Sequence, residues 1–202
     1  MIAIIDYGMG NLRSVQKALE KSGAANVKIT QAREDLERAE KIILPGVGAM
    51  GPAMDKLRQL GLLKSITQSV KDGKPFLGIC LGLQLLFERS CEGGTVTGLG
   101  MLPGSVERFT ALKVPHMGWN QLNLRQAHCP LFANIKSGID VYFCHSYYVQ
   151  PSDKTIIATT TDYGIDFASS VHKDNIYGVQ FHPEKSQTVG LAILRNFAEL
   201  TT

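Results

Sequence analysis

The sequence predicts an α/β fold in which a mostly parallel central sheet is flanked by helices and extended by antiparallel strands. In the first half, short apolar segments alternate with helical patterns, as in a parallel sheet covered on both faces. After Gly93-Gly94, short β-branched segments separated by turn residues indicate antiparallel strands. The 202 residues, 44% hydrophobic and 19% charged, suit one filled core, so we expect a single domain over 1–202.

Strand and helix patterns follow one another in chain order. In the first half, strands are predicted at 2–5, 27–30, 41–44 and 76–79, and helices at 11–22, from 32, at 50–59, 62–71 and 81–89. The first helix places Val15, Ala18 and Leu19 on one face and ends before Gly23. In the second half, strands are predicted at 105–109, 121–124, 141–143, 155–161, 168–171 and 176–180, followed by a helix from Ser186.

Composition excludes several classes of function. The net charge of +3 arises from 21 basic and 18 acidic residues scattered along the chain, so no nucleic-acid surface is indicated. No apolar stretch approaches the roughly 20 residues that span a bilayer, and the first residues lack a basic leader. We therefore expect a cytoplasmic protein that binds no membrane.

Cysteine and histidine spacings suggest neither a metal nor a disulfide framework. The four cysteines are Cys80, Cys91, Cys129 and Cys144, and they form no Cys-x-x-Cys pair. The histidines other than His182 show no ligand spacing, so no metal and no cofactor are expected. All the cysteines except Cys80 are interpreted as small apolar residues.

Cys80 has the neighbours of a nucleophile. An apolar strand enters the turn Gly78-Ile79-Cys80-Leu81-Gly82, a Gly-x-nucleophile-x-Gly pattern with cysteine in place of serine. At the start of the following helix, free N–H groups favour the thiolate. A buried core cysteine is the alternative, and the strand-turn-helix context argues against it.

His182-Pro183-Glu184 supplies a base and a carboxylate. If these residues continue the strand before them, both side chains point to one face, with Glu184 orienting the imidazole of His182. Ser186 is predicted to cap the helix that follows. Cys80, His182 and Glu184 are thus the candidate catalytic triad for thiol acyl transfer.

Two glycine-rich turns follow strands. In Pro45-Gly46-Val47-Gly48, a backbone N–H is placed to stabilise an oxyanion, with the Leu81 N–H as second donor. The turn from Asp6 to Asn11 has Arg13 where a dinucleotide loop has its third glycine. It is therefore interpreted as a strand-to-helix turn at a surface edge, not a nucleotide site.

Together these motifs resemble the triad-type glutamine amidotransferases, and over nearly the whole chain the glutaminase subunits of imidazole glycerol phosphate synthases. Segments carrying the resemblance are 5–15, 44–50, 78–84, 114–120, 142–148 and 178–186. The resemblance implies hydrolysis of glutamine through a thioester on Cys80, with the ammonia passed to a (β/α)₈-barrel cyclase in a heterodimer. The products of that cyclase, imidazole glycerol phosphate and an aminoimidazole carboxamide ribotide, serve histidine and purine synthesis.

The resemblance also assigns further residues. Substrate-binding positions are Gly48, Gln84, Glu92, Ser146 and Tyr147, and the oxyanion donors are the backbone N–H groups of Val47 and Leu81. Partner-facing positions are Gly10, Asn11, Trp119, Asn120, Tyr142, His145 and Lys185. The alternatives left open are a paralogous glutaminase serving a sugar-amidating synthase, a stand-alone thiol hydrolase, and a binding module without chemistry.

Overall fold

The structure is a computed structural model that describes residues 1–110 and 112–201. Its strands are β1 Ile2–Ile5, β2 Val27–Thr30, β3 Lys41–Gly46, β4 Phe76–Cys80, β5 Phe87–Ser90, β6 Val96–Thr97, β7 Leu102–Arg108, β8 His116–Leu124, β9 Ile139–His145, β10 Tyr147–Pro151, β11 Ile157–Asp162, β12 Asp166–Lys173 and β13 Ile176–Val179. Its helices are α1 Leu12–Lys21, α2 Arg33–Arg38, α3 Met50–Gln59, α4 Leu63–Lys71, α5 Leu81–Leu85 and α6 Gln187–Glu199. Short 3₁₀ helices cover Pro130–Phe132, Lys154–Ile156 and Pro183–Lys185.

The strands form one mixed sheet. Its parallel part has the order β2-β1-β3-β4-β13, as the apolar strands of the first half predict. Beyond β13, the strands β12, β10 and β7 follow in antiparallel pairs, whereas β5 pairs parallel with β7. Strand β11 connects β12 to the hairpin of β8 and β9. The predicted fold class, a mostly parallel sheet with antiparallel additions and flanking helices, is confirmed.

Helices cover both faces of the parallel strands. Alternate residues of β1 enter different cores: Ala3 and Ile5 pack with α2 to α5, whereas Ile2 and Ile4 pack with α1 and α6. This alternation is the period of a strand buried on both faces. Within residues 1–110 and 112–201, no helix has the length and apolar character needed to cross a membrane.

The central strand β4, which ends at Cys80, lies between β3, which leads into the glycine turn, and β13, which leads to His182. Cys80, its last residue, is in register with Gly46 of β3. On the opposite side, Ile79 is in register with Val179 of β13, three residues before His182. Since carboxyl ends of adjacent parallel strands meet at one edge, this register brings the cysteine, the glycine turn and the histidine together.

Two glycines allow α5 to lie directly on these strands. A Cβ added to Gly82 would overlap the carbonyl group of Leu44 in β3. A Cβ added to Gly78 would lie 2.6 Å from the carbonyl oxygen of Gly82. The Gly-x-Cys-x-Gly spacing is therefore a packing requirement of the strand-to-helix turn, since a methyl group fits at neither position.

The predicted helix over 81–89 is wrong in its second half. Helix α5 ends at Leu85, and Phe87–Ser90 forms β5 between β6 and β7. Phe87 and Ser90 are buried while Glu88 and Arg89 are exposed. Pairing with distant strands therefore overrides the local helical preference of this segment.

The second half contains more strand than its β-branched segments predict. Strand β8 starts at His116 instead of residue 121, and β6 and β10 are additional strands. The predicted strand 155–161 begins with a 3₁₀ helix, because the Asp153 carboxylate accepts a hydrogen bond from the Thr155 N–H at 2.9 Å. Of the three cysteines interpreted as small apolar residues, Cys129 is buried, Cys144 is partly buried and Cys91 is exposed.

A first prediction concerns the fit of Gly82. Replacing Gly82 by alanine forces α5 away from β3, and we expect the free energy of unfolding to fall by about 3 kcal/mol. Gly51→Ala is the matched control, because Gly51 is also helical and an added Cβ there would meet Val96 at an ordinary 3.7 Å. Urea unfolding of both variants measures the difference. Equal midpoints would contradict the packing argument.

Candidate active site

A pocket of about 490 Å³ opens at the carboxyl ends of β3, β4 and β13. It holds eleven of the predicted catalytic, oxyanion, substrate and partner positions. These are Val47, Gly48, Cys80, Leu81, Gln84, Glu92, His145, Ser146, Tyr147, His182 and Lys185, with Ala49, Pro115 and Cys144 completing the lining. Residues from distant parts of the sequence therefore converge on one cavity.

Cys80 lies at the tip of a strained turn. Its φ of 55° and ψ of −108° are rare for a residue with a side chain, and such strain costs of order 1–3 kcal/mol. Cys80 is the N-cap residue of α5, as predicted. Its Sγ lies 3.9 Å from the Cys144 carbonyl oxygen and accepts a hydrogen bond from Gln180 Nε2 at 3.7 Å. This is the conformation of a nucleophile elbow.

His182 and Glu184 form a buried pair, although not on a strand. The predicted extended geometry is wrong: β13 ends at Val179, and Pro183–Lys185 is a 3₁₀ helix with His182 at its N-cap. The turn still brings His182 Nδ1 to 2.9 Å from Glu184 Oε1, with the two side chains 5% and 2% exposed. The second carboxylate oxygen of Glu184 is buried without a hydrogen-bond partner among the described residues.

The environment of His182 favours its protonated form. Burial by itself lowers the pKa of His182, but interactions with Cys80 and Glu184 outweigh it and raise this pKa from 6.5 to about 10. At neutral pH the imidazole is therefore a cation held between a sulfur atom and a carboxylate. An imidazole that lies beside a cysteine sulfur and is oriented by a carboxylate is the arrangement that activates a cysteine for acyl transfer.

Ser186 holds the histidine turn in a way that the sequence did not predict. Its hydroxyl makes no hydrogen bond that caps α6, so the predicted capping role is wrong. Instead, Ser186 Oγ donates to the His182 carbonyl oxygen at 2.7 Å and accepts from the Tyr142 N–H at 3.0 Å. The Tyr142 carbonyl in turn accepts from the His182 N–H at 2.9 Å. The middle of β9 thereby fixes the backbone of His182.

The polar lining of the pocket is already hydrogen-bonded. Gln84 Nε2 donates to the Tyr147 carbonyl oxygen and to Gln180 Oε1, both at 3.1 Å. Glu92 Oε2 accepts from the Met50 N–H at 2.8 Å, at the start of α3. Gln180 is wholly buried and links Gln84 to Cys80, although the sequence analysis assigned it no role.

The glycine turn after β3 lies above a buried tyrosine. Gly48 has a φ of 92°, which favours glycine, and Val47 is 44% exposed at the pocket mouth. Tyr7 packs its hydroxyl against Gly46 and is buried, so the predicted surface position of its turn is wrong at this residue. Burial, and then the nearby Cys80, raise the pKa of Tyr7 far above its usual value, which keeps the phenol neutral.

The predicted partner-facing residues fall into three groups. The first group is an exposed cluster: Trp119 is 49% exposed, and the centroid of its ring lies 6.0 Å from the centroid of the Tyr142 ring. Lys185 Nζ lies over the Tyr142 ring, 5.6 Å from its centroid. Asn11 is exposed at the start of α1, and a Cβ added to Gly10 would lie 3.6 Å from Gly46 Cα. Asn120 is partly buried, and His145 is buried at 5% exposure, inside the pocket wall.

Among residues 1–110 and 112–201, no group of three or more His, Cys, Asp or Glu side chains is placed to hold a metal ion. The groups in the described residues that can act on a substrate at this pocket are the sulfur of Cys80, the His182–Glu184 pair and the backbone of the two turns.

Comparison with known proteins identifies the family of this chain. A family model described as glutamine amidotransferase class-I matches residues 3–200. The imidazole glycerol phosphate synthase subunit HisH of Geobacter sulfurreducens is 52% identical, covering 98% of each chain. The subunit of the same name from Moorella thermoacetica is 53% identical over 98% of this chain and 94% of its own. The subunit of the same name from Syntrophotalea carbinolica is 51% identical over 99% of this chain and 100% of its own.

Solved structures share the fold. A crystal structure of a glutamine amidotransferase matches with a TM-score of 0.77 at 20% identity and covers 98% of both chains. The structure of PurLQS from Thermotoga maritima matches with a TM-score of 0.72 at 20% identity, over 97% of this chain and 96% of that one. At this identity the likeness concerns the arrangement of helices and strands alone.

A second prediction follows from the raised pKa of His182. Nitrogen NMR of the imidazole should show His182 protonated well above neutral pH, with a pKa of about 10. Cys80→Ala and Glu184→Gln should each lower that pKa, because each removes a group that stabilises the protonated imidazole while the burial that lowers the pKa remains. Because the pKa of His182 is higher in the folded state, its protonation adds to the free energy of unfolding. This contribution is complete below pH 6.5 and is lost as pH rises through about 10.

His172 serves as the internal control in the same spectra. It lies half-buried on β12, stacked on Tyr177 with ring centroids 4.6 Å apart, and its pKa is lowered by burial. Neither variant should change its titration. A His182 that titrates near its ordinary value in the unsubstituted protein would contradict the ion-pair description.

Proposed function

This chain belongs to the glutamine amidotransferase class-I family, and on that premise we propose that it is the glutaminase subunit of an imidazole glycerol phosphate synthase. It hydrolyses glutamine to glutamate and ammonia and passes the ammonia to a cyclase. The observation that carries the chemistry is Cys80 on its strained elbow, facing the buried His182–Glu184 pair. The similarity to HisH subunits along nearly the entire chain supports the choice of pathway.

In the proposed first step, Cys80 Sγ attacks the side-chain amide carbon of glutamine and forms a C–S bond. The negative charge on the amide oxygen is received by the backbone N–H groups of Val47 and Leu81, the oxyanion donors of the two turns. His182 then gives its proton to the departing nitrogen, so that the C–N bond breaks and ammonia leaves. Glu184 keeps the imidazole oriented and offsets its charge.

In the second step, a water molecule replaces ammonia. His182, now neutral, takes a proton from that water while its oxygen attacks the thioester carbon. The C–S bond breaks, glutamate leaves, and Cys80 and His182 return to their starting states. The balance is one glutamine and one water for one glutamate, one ammonia and one proton, without a cofactor.

The pocket suits glutamine. Its volume of about 490 Å³ accommodates one amino acid beside Cys80. We assign the α-amino end to Gln84 and Glu92, a neutral amide and a carboxylate that both line the cavity, and the rest of the substrate to the backbone around Gly48, Ser146 and Tyr147. A carboxylate is the natural partner for an ammonium group.

The amidotransferase domain is proposed to extend over 1–202. The family match over 3–200 supports that extent.

The proposed partner is a (β/α)₈-barrel cyclase in a cytoplasmic heterodimer. Trp119, Tyr142 and Lys185 offer an aromatic and cationic surface beside the pocket, of the kind that anchors interfaces. We add Gly10, Asn11 and Asn120 to the docking side. His145 is buried, so we place it behind this surface.

A third prediction tests activity, nucleophile and partner together. Glutamate release from glutamine should be low for the chain alone, appear with a histidine-pathway cyclase, and rise when the ribonucleotide ligand of the cyclase is added. Cys80→Ala in the complete mixture should abolish release, because no other group supplies the nucleophile. Cys129→Ala is the matched control, since Cys129 is also buried and lies outside the pocket.

Each arm has a distinct meaning. Activity in the Cys80→Ala complex would refute the thioester mechanism. Full activity of the chain alone would favour a stand-alone hydrolase. A folded chain that is inactive with this cyclase, but active with a sugar-amidating synthase, would assign it to the paralogous pathway.

A fourth prediction concerns the partner surface. Trp119→Ala should weaken binding of the cyclase about tenfold or more, because an exposed aromatic anchor and its contact with Tyr142 are lost. Trp119→Phe keeps a ring at this position and should retain most of the affinity. Titration calorimetry with the cyclase measures both. An unchanged dissociation constant in Trp119→Ala would remove this face from the interface.

A further inference from the structure

Two buried histidines that the proposed mechanism does not use form a hydrogen-bonded pair, and one of them, His145, lines the pocket. His116 of β8 and His145 of β9 are directly opposite in the antiparallel ladder and are 3% and 5% exposed. His116 Nδ1 lies 2.9 Å from His145 Nε2. Each ring also has a second polar contact, so the pair belongs to a longer chain of hydrogen bonds.

The ends of this chain set its direction. His145 Nδ1 lies 2.7 Å from the Tyr147 carbonyl oxygen, which can only accept, so His145 carries its proton on Nδ1. In the neutral ring, Nε2 then accepts from His116 Nδ1. His116 Nε2 in turn accepts from the Asn120 amide at 3.3 Å. All donors point one way, from Asn120 towards Tyr147.

Both imidazoles must be neutral for this order to exist, and their surroundings provide for it. A second proton on His145 would place two donors against each other. Burial lowers the pKa of His116 to about 4. For His145, burial together with the nearby His116 and His182 outweighs the Tyr147 carbonyl and lowers the pKa to about 3. Aromatic rings enclose His116, with Tyr163 stacked at 4.0 Å and Phe143 at 4.8 Å.

The hydrogen bonds from Asn120 through His116 and His145 to the Tyr147 carbonyl form a relay, and both ends of this relay lie at proposed functional positions. At the inner end, the Tyr147 carbonyl also accepts from Gln84, which is linked through Gln180 to the sulfur of Cys80. At the outer end, Asn120 follows the exposed Trp119 and also donates to the Asp162 carbonyl oxygen at 2.9 Å. Five buried or partly buried side chains, Asn120, His116, His145, Gln84 and Gln180, thus connect the exposed face of β8 with the nucleophile.

We propose that His116 and His145 are positioning residues: their directed hydrogen-bond relay fixes the Tyr147 carbonyl, and with it the Gln84 amide, relative to the exposed face of β8. The relay acts on glutamine binding through Gln84 and Tyr147, and this consequence rests on the proposed function. The geometry of the relay itself does not depend on it.

The test compares substitutions that cut or keep the relay. His116→Phe fills the same aromatic site but donates nothing, so His145 Nε2 is left unpaired and the Tyr147 carbonyl loses its fixed position. In the complex with cyclase, we expect the KM for glutamine to rise about tenfold while kcat stays within about twofold. His116→Asn keeps a donor where Nδ1 stood and should restore KM to within about threefold. His172→Phe, the same change on a stacked histidine outside the pocket, should leave both constants unchanged.

Nitrogen NMR of the free chain supplies a readout that is independent of activity. Near neutral pH, both rings should be neutral and protonated on Nδ1, and His116→Phe should shift the His145 nitrogens. If the unsubstituted complex hydrolyses glutamine and His116→Phe leaves KM unchanged, the positioning role is refuted. If His145 is protonated on Nε2, the relay is refuted whatever the activity. If the unsubstituted complex does not act on glutamine, the proposed function fails, and the tautomers alone decide the relay.

Discussion

The contact between Gly82 and the Leu44 carbonyl is the constraint on which the rest of the site depends. It lets α5 start directly above β3, so the chain must leave β4 through a sharp turn at Cys80. The positive φ of Cys80 is the cost of that turn, and the burial of Leu81, Leu83 and Leu85 in the core offsets it. Close packing thus holds the sulfur where β3 and β13 also end.

Charge and burial compete at two neighbouring histidines with opposite results. Desolvation opposes protonation at both His182 and His145. At His182, a carboxylate and a sulfur lie against the ring, and their combined effect exceeds desolvation. At His145, the contacts are a carbonyl oxygen and another imidazole, which are too weak to retain a proton. One pocket therefore contains a cationic histidine, which we propose transfers protons, and a neutral histidine that does not compete for the proton.

The sequence predicted what local pattern controls. The bounds of α1 and of β1 to β4 agree closely with their apolar periodicity, and the Cys80, His182 and Glu184 side chains do converge. Strand β5 was missed because its hydrogen-bond partners are β6 and β7, which no local pattern at Phe87–Ser90 reveals. Gln180 and His116 were missed for a related reason: each has a role only through a residue that is distant in sequence.

Shared acceptors make the pocket a coupled unit instead of a set of separate groups. The Tyr147 carbonyl receives both Gln84 Nε2 and His145 Nδ1, which uses its two lone pairs. Gln84 Nε2 also serves Gln180, so neither amide can turn without leaving a buried polar atom unpaired. Since such an atom costs about 1–3 kcal/mol, small displacements along this path are resisted together. A displacement of β8 at Asn120 is therefore transmitted to the glutamine pocket more readily than it is absorbed between them.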